Sequence, residues 1–423
     1  MTPSAILACF VALALLDLGW GSFLTALNYR RVAHRAGEVP ESLAGSLSSA
    51  DASKAAAYSL ARMRLSFVDE PIGTAAILAA TVLGLFGLLD DLVASAIGSA
   101  YWRGAAFLGA ALLVQAVLSV PFSLYSTFSL ERRFGFNTTK LGTWILDGLK
   151  NALVSAAIGL PLLYLLYLFM DGTGSLWWVL AAAAYSAVSV VMTILYPLVI
   201  APLFNKFSPL PDGGLSTRIT ELARSLGFRV NGVFVMDGSK RSRHSNAYFT
   251  GLGKSKRIVL YDTLIAQSSE DEVLAVLAHE IGHEKRHHVL KMTAVSVAMS
   301  FVAFYVLDLM MGWEALYAAF GFARESRHAI LLILGLVSGP ATFFLVPAFS
   351  AWSRRYEYEA DRYAARAVGP QAISSALVRL NRENASNLWP HPLYSAWYYG
   401  HPALVERLAA IAGSGGSRRR TSC

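Results

Sequence analysis

Charged side chains are scarce in this chain of 423 residues. Asp, Glu, Lys and Arg together make up 15% of it, whereas about a quarter is usual in soluble globular proteins. Apolar residues reach 55%, and the mean hydropathy is +0.46. The length alone would suggest a chain of soluble domains. The balance of apolar and charged residues excludes a chain built only of such domains.

Cysteine is almost absent. Cys9 lies in an apolar segment and Cys423 is the last residue. Two cysteines at opposite ends of the chain provide neither a disulfide framework nor a cysteine-based metal site. A C-terminal prenylation signal is not expected either, because it needs its cysteine four residues from the end.

The basic residues are not gathered into one domain, although the net charge is +8. A nucleic-acid-binding protein would concentrate them on one region with interleaved aromatic side chains. Here they lie between apolar runs, as the positive-inside rule of membrane proteins predicts. We therefore expect the lipid bilayer as a partner, and no nucleic acid.

Seven apolar runs approach or exceed the length of about 20 residues that a membrane-spanning helix needs. They cover residues 5–27, 71–89, 104–124, 153–170, 176–200, 292–311 and 329–351. The polar stretches at 28–70 and 205–290 and after residue 352 are basic, while Asp90 and Asp91 open an acidic loop. This alternation predicts an outside N-terminus and a cytoplasmic C-terminus.

Two polar regions are expected in the cytoplasm. In the first of these regions, residues 205–290, the residue pattern predicts a helix at 217–226 and strands at 230–235, 247–250 and 257–261. A long helix follows and continues into the sixth span. Ser269 and Glu272 form a capping box at the start of that helix.

The sequence predicts a division of the chain into five parts. These are residues 1–204 with five spans, 205–290 with the metal motif, 291–351 with two spans, 352–412 with C-terminal helices, and a disordered tail at 413–423.

His279 and His283 stand four residues apart on the predicted long helix. They project from one face, so both imidazoles can reach one tetrahedral ion. Glu280 lies roughly 100° further round the helix, where it can act as a base on a water but is poorly placed as a ligand. The alternative is a solvated polar helix face. We expect His287 and His288 at the membrane boundary rather than on the metal.

A catalytic zinc site needs a third protein ligand. Glu357 and Asp361 are four residues apart, so on a helix they share a face while Glu359 points away. Glu357 is the expected third ligand, and Asp361 is expected to orient a ligand histidine through a hydrogen bond. An ordinary charged helix with Arg–Glu pairs explains these residues equally well.

Several segments make the chain resemble the type I CAAX prenyl proteases, integral-membrane zinc endopeptidases of the gluzincin group. They lie in the family order at residues 131–139, 200–205, 244–251, 257–263, 279–283, 353–361 and 401–407. The resemblance implies a mainly α fold: seven transmembrane helices enclosing a chamber, with a cytoplasmic gluzincin-like zinc metalloprotease domain that contains a small β-sheet. It also implies one zinc ion per chain on His279, His283 and Glu357, with Glu280 as the base.

The same resemblance assigns two further functions. It makes Asn246, Ala247, Tyr248 and Phe249 a substrate-binding edge strand, and an edge strand can bind an extended peptide through main-chain hydrogen bonds. An ordinary hairpin is the alternative. It makes His401 a catalytic residue that stabilises the tetrahedral intermediate, although a histidine before a proline is also common at a helix entry.

The expected function is zinc-dependent hydrolysis of peptide bonds in peptide or protein substrates, including lipidated or membrane-associated ones. A composition rich in Ala, Gly and Arg looks bacterial, and bacteria generally lack protein prenylation. We therefore expect membrane-protein processing or quality control in a bacterial inner membrane, with the catalytic domain cytoplasmic.

Two other functions are considered. A site-2-type intramembrane metalloprotease would use Asp147 as a metal ligand, but Asp147 precedes the histidine motif, the reverse of that family's order. A non-proteolytic transporter would use Asp17 and Asp308 as intramembrane polar residues on a pathway. Placement near a helix end or in the bundle interior explains both aspartates without transport.

Overall fold

The computed structural model describes residues 1–228, 231–250 and 256–416. Within these residues seven helical segments are long and apolar enough to cross a membrane, which confirms the predicted number. They are Pro3–His34, Ser49–Val82, Ala100–Glu131, Leu141–Gly172, Gly174–Phe204, His288–Met311 and Arg327–Val368. The chain is therefore an integral, multi-pass membrane protein.

The first two helices are much longer than a bilayer requires. α1 (Pro3–His34) has 32 residues and α2 (Ser49–Val82) has 34, which at 1.5 Å per residue is about 50 Å against an apolar core of about 30 Å. The second span was predicted at 71–89, and the structure corrects it. A capping box at Ser48 starts α2 well before the apolar run, and Gly84, with a φ of +67°, separates α2 from α3 (Leu85–Ala96).

The middle spans form walls rather than a packed bundle. α4 (Ala100–Leu124) continues as a π-helical segment to Glu131, α5 covers Leu141–Gly172, and α6 (Trp177–Leu195) leads through a second π-helical segment to α7 (Ala201–Phe204). In each of these spans 6% of the apolar window is buried. Helices that are open on both faces are consistent with the predicted chamber, with lipid on the outside.

A small mixed sheet follows the fifth span. β1 (Phe207–Pro209), β2 (Val233–Met236), β3 (Ala247–Thr250) and β4 (Arg257–Tyr261) have the order β1-β2-β4-β3, with β2 and β4 parallel. Helix α8 (Gly214–Ser225) precedes β2. The bounds of β3 and β4 are those predicted, β1 was not predicted, and the strand predicted at 230–235 begins at Val233, with residue 230 outside the described residues. β3 lies at one edge of the sheet.

The helix that carries the histidine motif does not run on into the membrane as predicted. After the short helix α9 (Asp262–Gln267), α10 (Glu270–Lys285) starts at the predicted capping box of Ser269 and Glu272 and ends before Arg286. His287 has a φ of +57°, and α11 (His288–Met311) starts a new direction. The sequence carries no Gly or Pro at this break. At this break His288, the first residue of α11, contacts His283 and Glu359.

The C-terminal part contains helices and no strands within the described residues. α12 (Glu314–Ala319) and α13 (Arg327–Thr342) lead through a short 3₁₀ turn to α14 (Val346–Val368), which crosses the boundary predicted at residue 352 without a break. α15 (Pro370–Glu383), α16 (Pro392–Tyr398) and α17 (Leu404–Gly416) follow. α17 includes residues 413–416 of the predicted disordered tail, and residues 417–423 lie outside the described residues.

Two apolar cores hold these elements together. One joins the sheet to α10, α14 and α15 through fully buried side chains such as Leu260, Leu277 and Ile373. The other, with Phe107, Phe320 and Ile330, joins α1, α4, α12 and α13. The first core fixes α10 between the sheet and α14, and this position determines the geometry of the histidine motif.

Candidate active site

Close packing of α10 against α14 brings the two halves of the site together. A Cβ atom at Gly282 would lie 3.1 Å from Cα of Ala360 and 3.1 Å from Cβ of Tyr363. A Cβ atom there would be tighter than most real Cβ contacts and would require the helices to move apart by a few tenths of an ångström, so glycine favours this close approach. Glu357, one turn before Ala360, consequently faces His279 and His283 across the helix interface.

The three predicted ligands meet in the geometry of a tetrahedral metal site. Nε2 of His279 and Nε2 of His283 are 3.1 Å apart. The carboxylate oxygens of Glu357 lie 3.4 Å from Nε2 of His279 and 3.3 Å from Nε2 of His283. Ligand atoms about 2.0–2.1 Å from a tetrahedral zinc ion are roughly 3.3 Å apart. The three spacings therefore fit one small divalent cation.

Hydrogen bonds on the far side of each imidazole leave its Nε2 available. Nδ1 of His279 lies 2.9 Å from Oδ1 of Asp361 and donates its proton to that carboxylate. Nδ1 of His283 lies 3.1 Å from Nδ1 of His288, whose Nε2 is 3.3 Å from Glu359. Both Nε2 lone pairs then point to the same place, which is how metal-binding histidines are usually oriented.

Glu357 also has an unsatisfied buried oxygen. Its side chain is 4% exposed, and Oε2 accepts no hydrogen bond of acceptable geometry from the described residues. Nitrogen atoms of His279, His401 and Arg407 lie 2.9–3.5 Å from this oxygen without forming such a hydrogen bond, and a bound cation would give the buried carboxylate a directed partner. The donor set, its spacing and this oxygen all fit a metal ion.

Asp361 is itself held by an arginine that the sequence analysis did not single out. Arg407 donates from Nε and one terminal nitrogen to the two oxygens of Asp361, at 2.7 and 2.6 Å. Burial lowers the pKa of His279, while its hydrogen bonds to Asp361 and Glu357 raise it more, to about 9. A proton on Nε2 thus competes with a metal ion, and metal affinity should fall as the pH falls.

His288 begins the sixth span and is not among the proposed metal ligands, as expected, but its side chain is buried rather than interfacial. It is 1% exposed, lies between His283 and Glu359, and stacks on the Tyr356 ring at a centroid distance of 3.9 Å. It is therefore a buried support for a proposed ligand histidine. Sequence spacing gave no signal for it, because the contact depends on the unforeseen break at His287.

Glu280 lines a cavity of about 860 Å³ together with His279 and Glu357. Burial raises the pKa of the Glu280 carboxyl above its usual value, and Glu357 adds to this effect while the neighbouring histidines oppose it. A carboxylate whose pKa is shifted towards neutrality is a better general base at physiological pH. Glu280 thus has the position and the electrostatics that a base on a water requires.

The predicted edge strand borders the same cavity over part of its length. Asn246 and Ala247 line the cavity, and β3 pairs with β4 on one side only. Tyr248 and Phe249 do not line it: the Tyr248 ring lies near Tyr261, and the Phe249 ring packs edge-on against Phe228. The structure therefore brings two of the four predicted substrate-binding side chains to the cavity.

His401 lies at the opening of the cavity, with its side chain 74% exposed. Its Nδ1 is 2.9 Å from Oε2 of Glu357. It precedes Pro402 and α17, as an ordinary helix-entry residue would, but it also faces the predicted metal ligands.

The residues on which the alternative functions depend lie elsewhere. Both oxygens of Asp147 accept hydrogen bonds from Arg241, at 2.8 and 2.9 Å, which is an ordinary ion pair and not a metal site. Asp308 accepts a hydrogen bond of 2.5 Å from the Trp177 indole. Asp17 lines a second cavity, between α1, α2 and α16. No predicted ligand of the metal lies beside any of the three.

Comparisons with known proteins agree with this geometry. Residues 28–206 match the family described as CAAX prenyl protease N-terminal, five membrane helices, and residues 209–414 match peptidase family M48. The chain is 37% identical over 400 residues to a CAAX prenyl protease 1 homolog of Arabidopsis thaliana, covering 92% of this chain and 94% of that one. It is 34% identical over 438 residues to the Homo sapiens homolog, covering 93% and 92%.

A solved structure extends the similarity to the fold. The crystal structure of S. mikatae Ste24p superposes with a TM-score of 0.91 at 32% identity, over 96% of this chain and 99% of that one. The resemblance inferred from the motifs is thereby confirmed, and the site-2-type and transporter alternatives are not supported. The chain belongs to peptidase family M48 and is a membrane metalloendopeptidase of the CAAX prenyl protease type, a family whose metal is typically zinc.

Proposed function

We propose that the chain binds one zinc ion through His279, His283 and Glu357 and hydrolyses peptide bonds with Glu280 as the base. The observation that carries this proposal is the set of spacings between the donor atoms, 3.1, 3.3 and 3.4 Å, across α10 and α14. A bound zinc ion supplies Lewis acidity that polarises the reacting carbonyl and water. Asp361 keeps the His279 ring in the orientation that this requires.

The remaining chemistry belongs to residues of the chain. Glu280 takes a proton from the attacking water and gives it to the leaving amine nitrogen, as its raised pKa favours. His401 donates a hydrogen bond to the oxygen on which negative charge develops. Asn246 and Ala247 orient the peptide by main-chain hydrogen bonds along the free edge of β3, while Tyr248 and Phe249 shape that strand from behind.

The substrate we propose is a membrane-associated polypeptide, and a lipidated one is included because the relatives are named CAAX prenyl proteases. The basic loops favour a cytoplasmic catalytic part and C-terminus. Nucleic acid has no place in this scheme. A bacterial inner membrane, inferred from composition, stays a prediction, as does the division of the chain at residues 204, 290, 351 and 412.

Glu280→Gln tests the mechanism. The amide keeps the size of the side chain but cannot accept the proton, so hydrolysis should fall by at least about 100-fold. Metal content and thermal stability should stay close to those of the wild type, because Glu280 is not among the proposed ligands.

The assay should use purified protein in detergent, farnesylated and unprenylated forms of one peptide, and metal analysis of each preparation. Chelator should abolish wild-type cleavage and zinc should restore it. Glu284→Gln, on the same helix and paired with Lys256 instead, is the matched control. Full activity in Glu280→Gln would refute the assignment of the base.

A further inference from the structure

His288 reaches the proposed metal centre because the backbone turns at the residue before it. On a continuous helix, side chains five positions apart, such as those of residues 283 and 288, point about 140° away from each other. His287 has a φ of +57° and is one of two non-glycine residues with a positive φ in the described part of the chain. This left-handed turn separates α10 from α11 and brings the His288 ring to His283, with 5.1 Å between the ring centres.

The His288 ring is held in one position. It is 1% exposed and lies nearly parallel to the Tyr356 ring, with 3.9 Å between the ring centres and 8° between the planes. Its Nδ1 is 3.1 Å from Nδ1 of His283, and its Nε2 is 3.3 Å from Oε2 of Glu359. The other oxygen of Glu359 accepts a hydrogen bond of 3.2 Å from Nε of Arg355. Each nitrogen of His288 therefore faces a polar group.

These contacts determine which ring nitrogens carry protons. The ionised carboxylate of Glu359 can only accept, so Nε2 of a neutral His288 donates to it and Nδ1 is left as an acceptor. Two acceptors facing each other at 3.1 Å would repel, so Nδ1 of His283 carries the proton between the two rings. A neutral imidazole has a single N–H. Nε2 of His283 therefore keeps its lone pair, and it is the nitrogen that faces His279 and Glu357.

The opposite direction of these hydrogen bonds would block the site. If His288 donated from Nδ1, His283 would accept there and hold its own proton on Nε2, towards the proposed metal position. We propose that His288 and Glu359 are positioning residues of the metal centre, which keep the proton of His283 on Nδ1 and its Nε2 lone pair directed at the ion. Glu359, expected from helical spacing to point away from the metal, would thus act on it through two imidazoles.

This inference rests on the proposed zinc site, and its test measures zinc affinity by chelator competition rather than activity. His288→Asn places an amide oxygen near the position of Nδ1, where it can accept from His283. His288→Phe keeps a flat ring that can stack on Tyr356 but has no acceptor. We expect His288→Phe to weaken zinc binding by about 10- to 100-fold and His288→Asn by less than about threefold. A role in packing alone would give the opposite order.

A second pair of variants leaves the buried ring untouched and decides the question if a His288 variant does not fold. The side chain of His287 is exposed, so the turn depends on its backbone. His287→Gly accepts a positive φ without strain, whereas the β-branched side chain of His287→Val strongly disfavours it. We expect His287→Gly to bind zinc as the wild type does and His287→Val to bind it about tenfold more weakly, because His288 is displaced.

Exchange of the ion pair on α14 reverses the hydrogen bonds directly. Arg355→Glu combined with Glu359→Lys keeps an ion pair between the two positions but presents a donor to His288, so zinc affinity should fall by about tenfold or more. Arg355→Gln alone is the control: its side chain is 75% exposed, and Glu359 is retained. Tighter zinc binding in His288→Phe than in His288→Asn, or wild-type affinity in His287→Val or in the exchanged pair, would overturn the inference. A wild type that binds no zinc would instead refute the zinc site itself.

Discussion

Each of the two proposed ligand histidines is fixed from the side opposite the proposed metal position. Asp361 and Arg407 hold His279, and His288 with Glu359 holds His283. The two supports are unlike: one is a carboxylate locked by an arginine, and the other is an imidazole relay. Both leave Nε2 free, and such supports commonly change metal affinity by about 10–100-fold when they are removed. We therefore expect metal binding at this site to depend on residues that would not contact the ion themselves.

Removal of a proposed ligand should have a larger effect than removal of a support. Glu357→Ala should weaken zinc affinity by more than about 100-fold and yield protein with little bound zinc, because two imidazoles alone hold the ion poorly. Asp147→Ala should keep about one zinc ion per chain, since Asp147 bonds only to Arg241. Elemental analysis of both variants checks this. Zinc loss in Asp147→Ala alone would favour the site-2-type mechanism.

At the scale of helices and strands, the sequence predicted those features that follow from capping motifs and from the spacing of apolar and polar residues. The capping box placed the start of α10, strand patterns placed β3 and β4, and helical spacing put Glu357 and Asp361 on one face. It did not predict the break at His287, the continuity of α14 across residue 352, or the support from His288. These features depend on contacts between distant segments, such as the stacking of His288 on Tyr356, which local propensity does not describe.

The contact between α10 and α14 makes a prediction at this scale. Gly282→Ala should lower the free energy of unfolding by about 1–3 kcal/mol and weaken zinc binding, because the added methyl group meets Ala360 and forces the helices apart. Thermal unfolding in detergent and chelator competition measure the two effects.

Gly335→Ala is the matched control, since Gly335 is a glycine in α13 whose Cβ would meet no atom within 4 Å. It should leave both quantities nearly unchanged. Equal stability and zinc affinity in the two variants would show that the close approach at Gly282 is not needed.

At the scale of the whole molecule, composition and hydropathy were enough to predict seven spans and a polar catalytic part. The chamber followed only from the family resemblance, because hydropathy does not distinguish a packed bundle from helices around open space. Helices α3 and α13 are joined by a contact that no sequence motif predicts. The buried side chains of Asp90 and His328 lie 2.6 Å apart. These residues lie on α3 and α13, so Asp90 and Asp91, which were predicted to open a loop, belong to a helix.

Orientation can be tested with the two native cysteines removed by Cys9→Ser and Cys423→Ser. In that background Gly98→Cys, between α3 and α4, should react with a membrane-impermeant maleimide applied to intact cells. Asp212→Cys, in the polar segment before α8, should react only after the membrane is permeabilised. Both positions are exposed. The reverse labelling pattern would place the catalytic part outside the cell.

The junction between α10 and α11 has a consequence for which polypeptides can be cut. Arg286 and His287 are the only residues between the helix of the metal motif and the sixth span, so the proposed catalytic centre is held at a nearly fixed distance from the start of that span. A substrate polypeptide that stays in bulk water, or one buried at the centre of the bilayer, would not place its backbone at the level of this site. The depth of a substrate segment relative to the membrane surface would then select which polypeptides can be cleaved, before any of their side chains is recognised.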